Sequence, residues 1–119
     1  MEEIEVRSVL VADEDGVFIV AFEASANEGL IFQLADRIEH QDSMLGMDSY
    51  SLSTASGATM YGGVTDATAD DSVLVLTLTD EAADTLGLPD TVRLRLSDEA
   101  EIGVAVTGLR QIGINVRNA

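Results

Sequence analysis

The sequence has no cysteine and no lysine, one histidine, one proline, three phenylalanines and two tyrosines in 119 residues. Each shortage removes a class of chemistry. Without cysteine there are no disulfides, thiolate metal sites or cysteine nucleophiles, so the fold must rest on its apolar core. Without lysine there is no Schiff-base chemistry and no phosphate-loop lysine. The six basic residues are all arginine, a bias that fits genome composition better than function. His40 stands in a polar connection between Glu39 and Gln41, and one histidine without cysteine forms none of the usual zinc sites by itself. No serine sits in a Gly-x-Ser-x-Gly elbow, which argues against a Ser-His-Asp hydrolase. So few aromatic side chains offer no evident platform for a sugar ring.

Basic charge and long hydrophobic runs are also scarce. The apolar runs last only a few residues, far short of the roughly 20 needed to cross a bilayer. The opening Met1-Glu2-Glu3 is acidic, unlike the basic start of a signal peptide. A soluble cytoplasmic protein is therefore expected. Six basic residues against 22 acidic ones give a formal charge of −16, which repels nucleic-acid phosphates and anionic lipid headgroups and attracts a basic protein. Neither nucleic acid nor membrane is expected as a partner. Solubility or a saline cell interior accounts for the same charge without any partner.

What the chain does contain is enough apolar residue for a core, 46%, and an abundance of carboxylates. One domain spanning residues 1–119 is expected, because no linker composition or internal repeat divides it and a globule of 12.6 kDa buries about two-thirds of its unfolded surface. The carboxylates cluster at Asp13-Glu14-Asp15, Asp70-Asp71, Asp80-Glu81 and Asp98-Glu99. Each cluster lies in a turn or at a helix start, where local hydrogen bonding and the helix dipole favour acidic residues. A hydrolase built on a carboxylate pair is the enzymatic alternative, with Asp70 and Asp71 the pair least tied to helix capping. No EF-hand spacing occurs, and Gly62-Gly63 is not followed by the lysine and helix of a phosphate loop. No catalytic residue, metal or cofactor is expected, and recognition is the chemistry that survives.

Periodicity outlines the fold. Ile4, Val6 and Leu10 alternate with Glu5 and Arg7 ahead of "DEDG" (13–16), and "VFIVAFEA" follows. Asp15-Gly16 between apolar runs predicts a hairpin, since glycine supplies the positive φ of its tight turn. "LIFQLA" predicts a third strand with Leu30, Phe32 and Leu34 on one face, and "DRIEHQDSMLG" a polar connection. In "GMDSYSLSTASGATMYGGV" (46–64), Asp48, Tyr50 and Leu52 alternate with Ser49, Ser51 and Ser53, the pattern of a half-buried strand. "ASGA" then turns the chain and "TMYGGV" returns as its partner, with a bulge or close approach at the double glycine. "DATADDS" (66–72) predicts a charged turn, and "VLVLTLT" a central strand, apolar on both faces. "DEAADTLGLPD" predicts a short helix capped by Thr79 or Asp80 and ended by Gly87 and Pro89. "TVRLRLS" predicts an edge or one-sided strand, and Asp98 with Glu101 resembles a capping box ahead of a helix whose face holds Ile102, Ala105, Val106, Leu109 and Ile112. The expected fold is α+β, a largely antiparallel sheet of six or seven strands with one short helix and one C-terminal amphipathic helix.

The runs Gly-Met-Asp-Ser-Tyr and Tyr-Gly-Gly-Val, followed by "LVLTLTDEAADTLGL" and "VRLRLS", resemble the immunity protein 10 family of bacterial polymorphic toxin systems over residues 32–112. The N-terminal hairpin matches the family's acidic opening in character alone, and the C-terminal part departs, being rich in Gly, Ile and Val where a more charged helix belongs. The resemblance implies a protein that binds a cognate toxin, of basic character, and blocks it without catalysis. An acidic inhibitor of a basic nuclease gains on-rate and specificity from electrostatic steering. Occlusion places an aromatic or methionine centre inside an acidic rim, for which the candidates are Tyr50, Met60 and Tyr61 with Asp48, Asp66, Asp70 and Asp71. Ordinary strand packing is the plainer reading of both tyrosines, more so for Tyr50. The alternative function is an acidic structural or interaction domain without a toxin, forming a homodimer through an exposed strand edge.

Overall fold

The structure, a computed structural model, describes residues 2–14, 16–24, 29–35, 50–97 and 99–118. Among them are nine strands: β1 Glu2–Glu14, β2 Val17–Ala24, β3 Gly29–Ala35, β4 Ser51–Thr54, β5 Thr59–Tyr61, β6 Val64–Ala69, β7 Val73–Leu78, β8 Thr91–Arg95 and β9 Val116–Asn118. Two helices join them, α1 Asp80–Leu86 and α2 Glu99–Gln111. The strands form one sheet in the order β5-β4-β3-β2-β1-β8-β7-β6-β9. Pairing is largely antiparallel, with β1–β8 and β6–β9 parallel.

The class is α+β as expected, but six or seven strands is too few. The two additional strands are β6 and β9. The expected charged turn at 66–72 is half strand, because Ala67 and Ala69 point into the core while Asp66 and Thr68 face outward. Alanine is a weak strand former, and here neighbouring strands override its propensity. "TMYGGV" is not one strand either. Gly62 and Gly63 hold φ of 72° and 103°, values that end β5 and redirect the chain into β6. At the C-terminus α2 stops at Gln111, Gly113 turns at φ 95°, and Val116 enters the sheet.

β1 organises the sheet by serving both halves. Residues Glu2 to Glu5 pair with β8, and residues from Val6 onward pair with β2. The register slips between Val6 and Ser8, so Arg7 is an extra residue at a bulge. An added residue reverses which side chains face inward. Before it Ile4 and Val6 are buried, whereas beyond it Val9 and Val11 pack against the core and Leu10 stands 49% exposed. The sequence alternation that grouped Leu10 with Ile4 and Val6 is broken there.

The two ends of the sheet are tied together. β5 is one edge and β6 is next to the other edge, yet only Gly62 and Gly63 separate them. Three Cα steps reach at most about 11 Å, so the sheet must coil until its ends approach. Val64 N–H donates to the Tyr50 hydroxyl at 3.0 Å across that closure, while Gly62 N–H to the Tyr50 carbonyl at 2.8 Å extends the β4–β5 pairing and Thr79 N–H to the Gly63 carbonyl at 2.9 Å extends the β6–β7 pairing up to it. Helix α1 packs against β5 and β7 beside this seam. Thr79 caps its start, accepting the Ala82 N–H on Oγ1 at 3.0 Å, and Gly87 ends it at φ 70°.

The coiled sheet encloses Val20, Phe22, Leu30, Phe32, Leu52, Leu74, Leu76, Val92 and Leu94, with Phe22 and Phe32 meeting edge to face at 5.9 Å. Helix α2 packs on β1, β2 and β9. Ala105, Gly108, Leu109 and the following Ile112 are buried, while Ile102 and Val106 are partly covered. Gly108 is needed for the fit, because a Cβ there would lie 2.9 Å from Val20 Cγ2 and 3.1 Å from Val11 Cγ2. Gly103 has no such neighbour. Asp98 of the expected capping box lies outside the described residues. So do His40 and the whole of the expected polar connection.

Candidate functional site

The seven residues singled out in the sequence do not form one patch. Asp48 lies outside the described residues. Tyr50 is 6% exposed, its ring tilted against Phe32 at 5.8 Å and its hydroxyl accepting the Val64 N–H. Burial raises its pKa and the Val64 N–H acts in the opposite direction, so the phenol remains neutral at physiological pH and serves the closure of the sheet. That position leaves Tyr50 little surface to offer a partner. Met60 is half-buried against the core on the inner side of β5. Tyr61, the next residue, points outward and is 46% exposed. The double glycine beside it shapes the sheet: Gly63 lies so close to α1 that a Cβ would be 2.7 Å from Ala82 Cβ.

The aspartates are strung along β6 and its turn. Asp66 pairs with Arg117 across the β6–β9 ladder. Asp70 and Asp71 are exposed in the β6–β7 turn, where Asp70 Oδ1 accepts the Asp71 N–H at 2.8 Å and Asp70 N–H donates to the Val73 carbonyl at 2.8 Å. This is the local hydrogen bonding that aspartate supplies in turns. Both line a cleft of about 470 Å³ against α2, opposite Glu99 and Arg110. Arg110 Nη2 is engaged with the Val116 carbonyl at 2.7 Å, so the rim of the cleft is acidic. Among the described residues no three His, Cys, Asp or Glu side chains converge as a metal site.

The two outer faces of the sheet differ in charge. On the β6–β9 half and β1's first residues, Glu3, Glu5, Asp66, Arg95 and Arg117 face solvent and Arg93 is half-buried, with Arg95 bridging Glu3 and Glu5 and Arg117 bridging Asp66. On the β1–β5 half, cross-strand partners set Ala12, Ile19, Gln33, Ser51 and Tyr61 in one row and Leu10, Ala21, Ile31, Ser53 and Thr59 in the next. Neither row holds a charge. The outward serines of β4 were legible from alternation. Leu10, Ile19, Ala21 and Ile31 were missed, although "VLVA" and "VFIVAF", apolar on both faces, were the available signal: such runs belong to a strand covered on both sides or bearing an apolar outer face.

No curated protein and no solved structure is similar enough to match. No helix of the described residues is long and apolar enough to cross a membrane. The sequence model of the family described as Immunity protein 10 matches residues 5–102, from the first strand, including the N-terminal hairpin, into the start of α2. Beyond the match lie most of α2 and β9, so the motif resemblance over residues 32–112 runs past the matched residues at its C-terminal end. The chain belongs to the immunity protein 10 family.

Proposed function

We propose that this protein binds a cognate polymorphic toxin and neutralises it by occlusion, with no catalysis of its own. Family membership over residues 5–102 suggests toxin neutralisation and is the observation that carries the reading. The physical character of the chain supports it. A surface of net charge −16 attracts a basic toxin domain and accelerates the encounter. The carboxylates that sequence marked out have structural duties, Asp66 in an ion pair and Asp70 in its turn. No aspartate or glutamate is buried among the described residues, whereas acid–base catalysis draws on carboxylates perturbed by burial. The homodimer alternative, through a strand edge, would have among the described residues only the three-residue edge strands β5 and β9 to pair, and short edge strands discourage such addition.

Mixing the purified protein with the toxin domain encoded beside its gene tests the proposal. A stoichiometric complex at micromolar concentration and loss of toxicity on co-expression are expected. Absence of both overturns it.

A further inference from the structure

We infer that the uncharged outer face of β1–β5 is the surface on which the toxin docks, and that the toxin offers it an apolar anchor side chain surrounded by basic residues. The inference rests on the neutralising role proposed above. In a chain with 24% charged residues these two rows hold no charge, and their β1–β3 part, Leu10, Ala12, Ile19, Ala21 and Ile31, departs from the usual polar outer face of an antiparallel sheet. The other outer face of the same sheet follows the usual pattern with its bridged arginines.

The centre of the uncharged face has the shape of an anchor site. Ala21 is 7% exposed, between Leu10 at 49% and Ile31 at 38% on the neighbouring strands. A small side chain between larger ones leaves a recess, and one of about 490 Å³ opens there, bordered also by Ile19. Leu10 reaches it because the Arg7 bulge reverses the facing of β1. Interface energy concentrates where an aromatic or aliphatic side chain fills such a recess.

Area and charge select the occupant. Five strands at about 4.8 Å spacing span about 19 Å, and two rows of side chains occupy about 13 Å along the strands, giving roughly 250 Å² in plan. A stable complex covers about 800 Å² per partner, so the toxin must extend past the face onto its border. There stand Glu14 at the hairpin end and Glu23 at the other, both exposed. A second copy of this chain would bring the same carboxylates and another −16 of charge. A basic protein brings the opposite sign.

Calorimetric titration of the toxin domain encoded beside the gene into wild type, Leu10→Ser, Ala21→Leu, Tyr61→Ala and Arg95→Ala tests the inference. Leu10→Ser removes apolar surface, Ala21→Leu fills the recess, and Arg95→Ala alters the opposite outer face. Leu10→Ser and Ala21→Leu should each weaken binding at least about tenfold, with thermal midpoints near wild type, while Arg95→Ala leaves affinity unchanged. Tyr61→Ala keeps the test decisive should Ala21→Leu not fold. Wild-type binding undiminished by the face variants overturns the docking face and leaves neutralisation standing. No complex with the wild-type protein overturns neutralisation itself, and the toxin as occupant with it. A wild-type dimer in sedimentation that Leu10→Ser dissociates assigns the face to a second copy and overturns the inference.

Discussion

Replacing Gly63 by alanine perturbs the point where the sheet closes on itself. Gly63 holds φ +103° and faces Ala82, whose Cβ would be 2.7 Å from the new methyl. Ala82 is fully buried, and its helix is held in place because Thr79 binds both the Gly63 carbonyl and the Ala82 N–H. Neither side can retreat without breaking the seam. Backbone strain at positive φ costs about 2 kcal/mol, and overpacking against an immobile neighbour about 2 kcal/mol more. Gly57→Ala is the matched control: φ is +98° and nothing lies within 4 Å, so it carries the strain alone. Unfolding entropy of about 2.1 cal/mol/K per residue over 119 residues converts 1 kcal/mol into about 4 °C. Calorimetric melting should therefore drop by about 16 °C for Gly63→Ala and about 8 °C for Gly57→Ala. Equal drops would refute the close approach of β5–β6 to α1, and with it the closure of the sheet.

Tyr50→Phe leaves the Val64 N–H without its acceptor, a loss of about 1–2 kcal/mol measurable by urea denaturation. The raised Tyr50 pKa contributes stability that is complete below the unfolded tyrosine value near 10 and is lost as pH rises through the folded value. Melting temperature of wild type should thus fall more steeply above pH 10 than that of Tyr50→Phe, and parallel profiles would contradict the buried phenol. In α2, Gly103→Ala should raise stability by about 1 kcal/mol through helix propensity, whereas Gly108→Ala should lower it by about 1 kcal/mol because the methyl meets Val20 and Val11; thermal melts of the two variants should move in opposite directions. With a charge of −16, self-repulsion opposes the compact state and salt screens it. Raising sodium chloride from 0.05 M to 0.5 M should increase the melting temperature, as scanning fluorimetry can check.

Local signals were legible where one short segment contains the whole cause. The hairpin of β1 and β2 announces itself at Asp15-Gly16, the inward Leu30, Phe32 and Leu34 show period two, and α1 is bounded by Thr79 and Gly87 as its sequence predicts. β6 was hidden because Ala67 and Ala69 are weak strand formers overridden by the β7 and β9 strands beside them, and β9 because Val116 gains strand conformation from Ala67, distant in sequence. Of the candidate contacts, Tyr61 emerged exposed and Tyr50 buried, although both belong to one low-charge stretch. Alternation placed Tyr50 beside Leu52, and that correctly favoured the interior. It carried no information on the seam that uses the Tyr50 hydroxyl.

The sequence by itself determined the chemical character of the protein: a cysteine-free, lysine-free, strongly acidic α+β domain whose motifs place it in the immunity protein 10 family. Composition and short-range periodicity suffice for that, since they depend on residue type and near neighbours. Only the tertiary structure decided where the surfaces lie. A single extra residue at Arg7 turns Leu10 outward, and two glycines bring the far ends of a nine-stranded sheet together. Both are long-range consequences of register and closure. They arise when strands pair, and no window along the chain contains them.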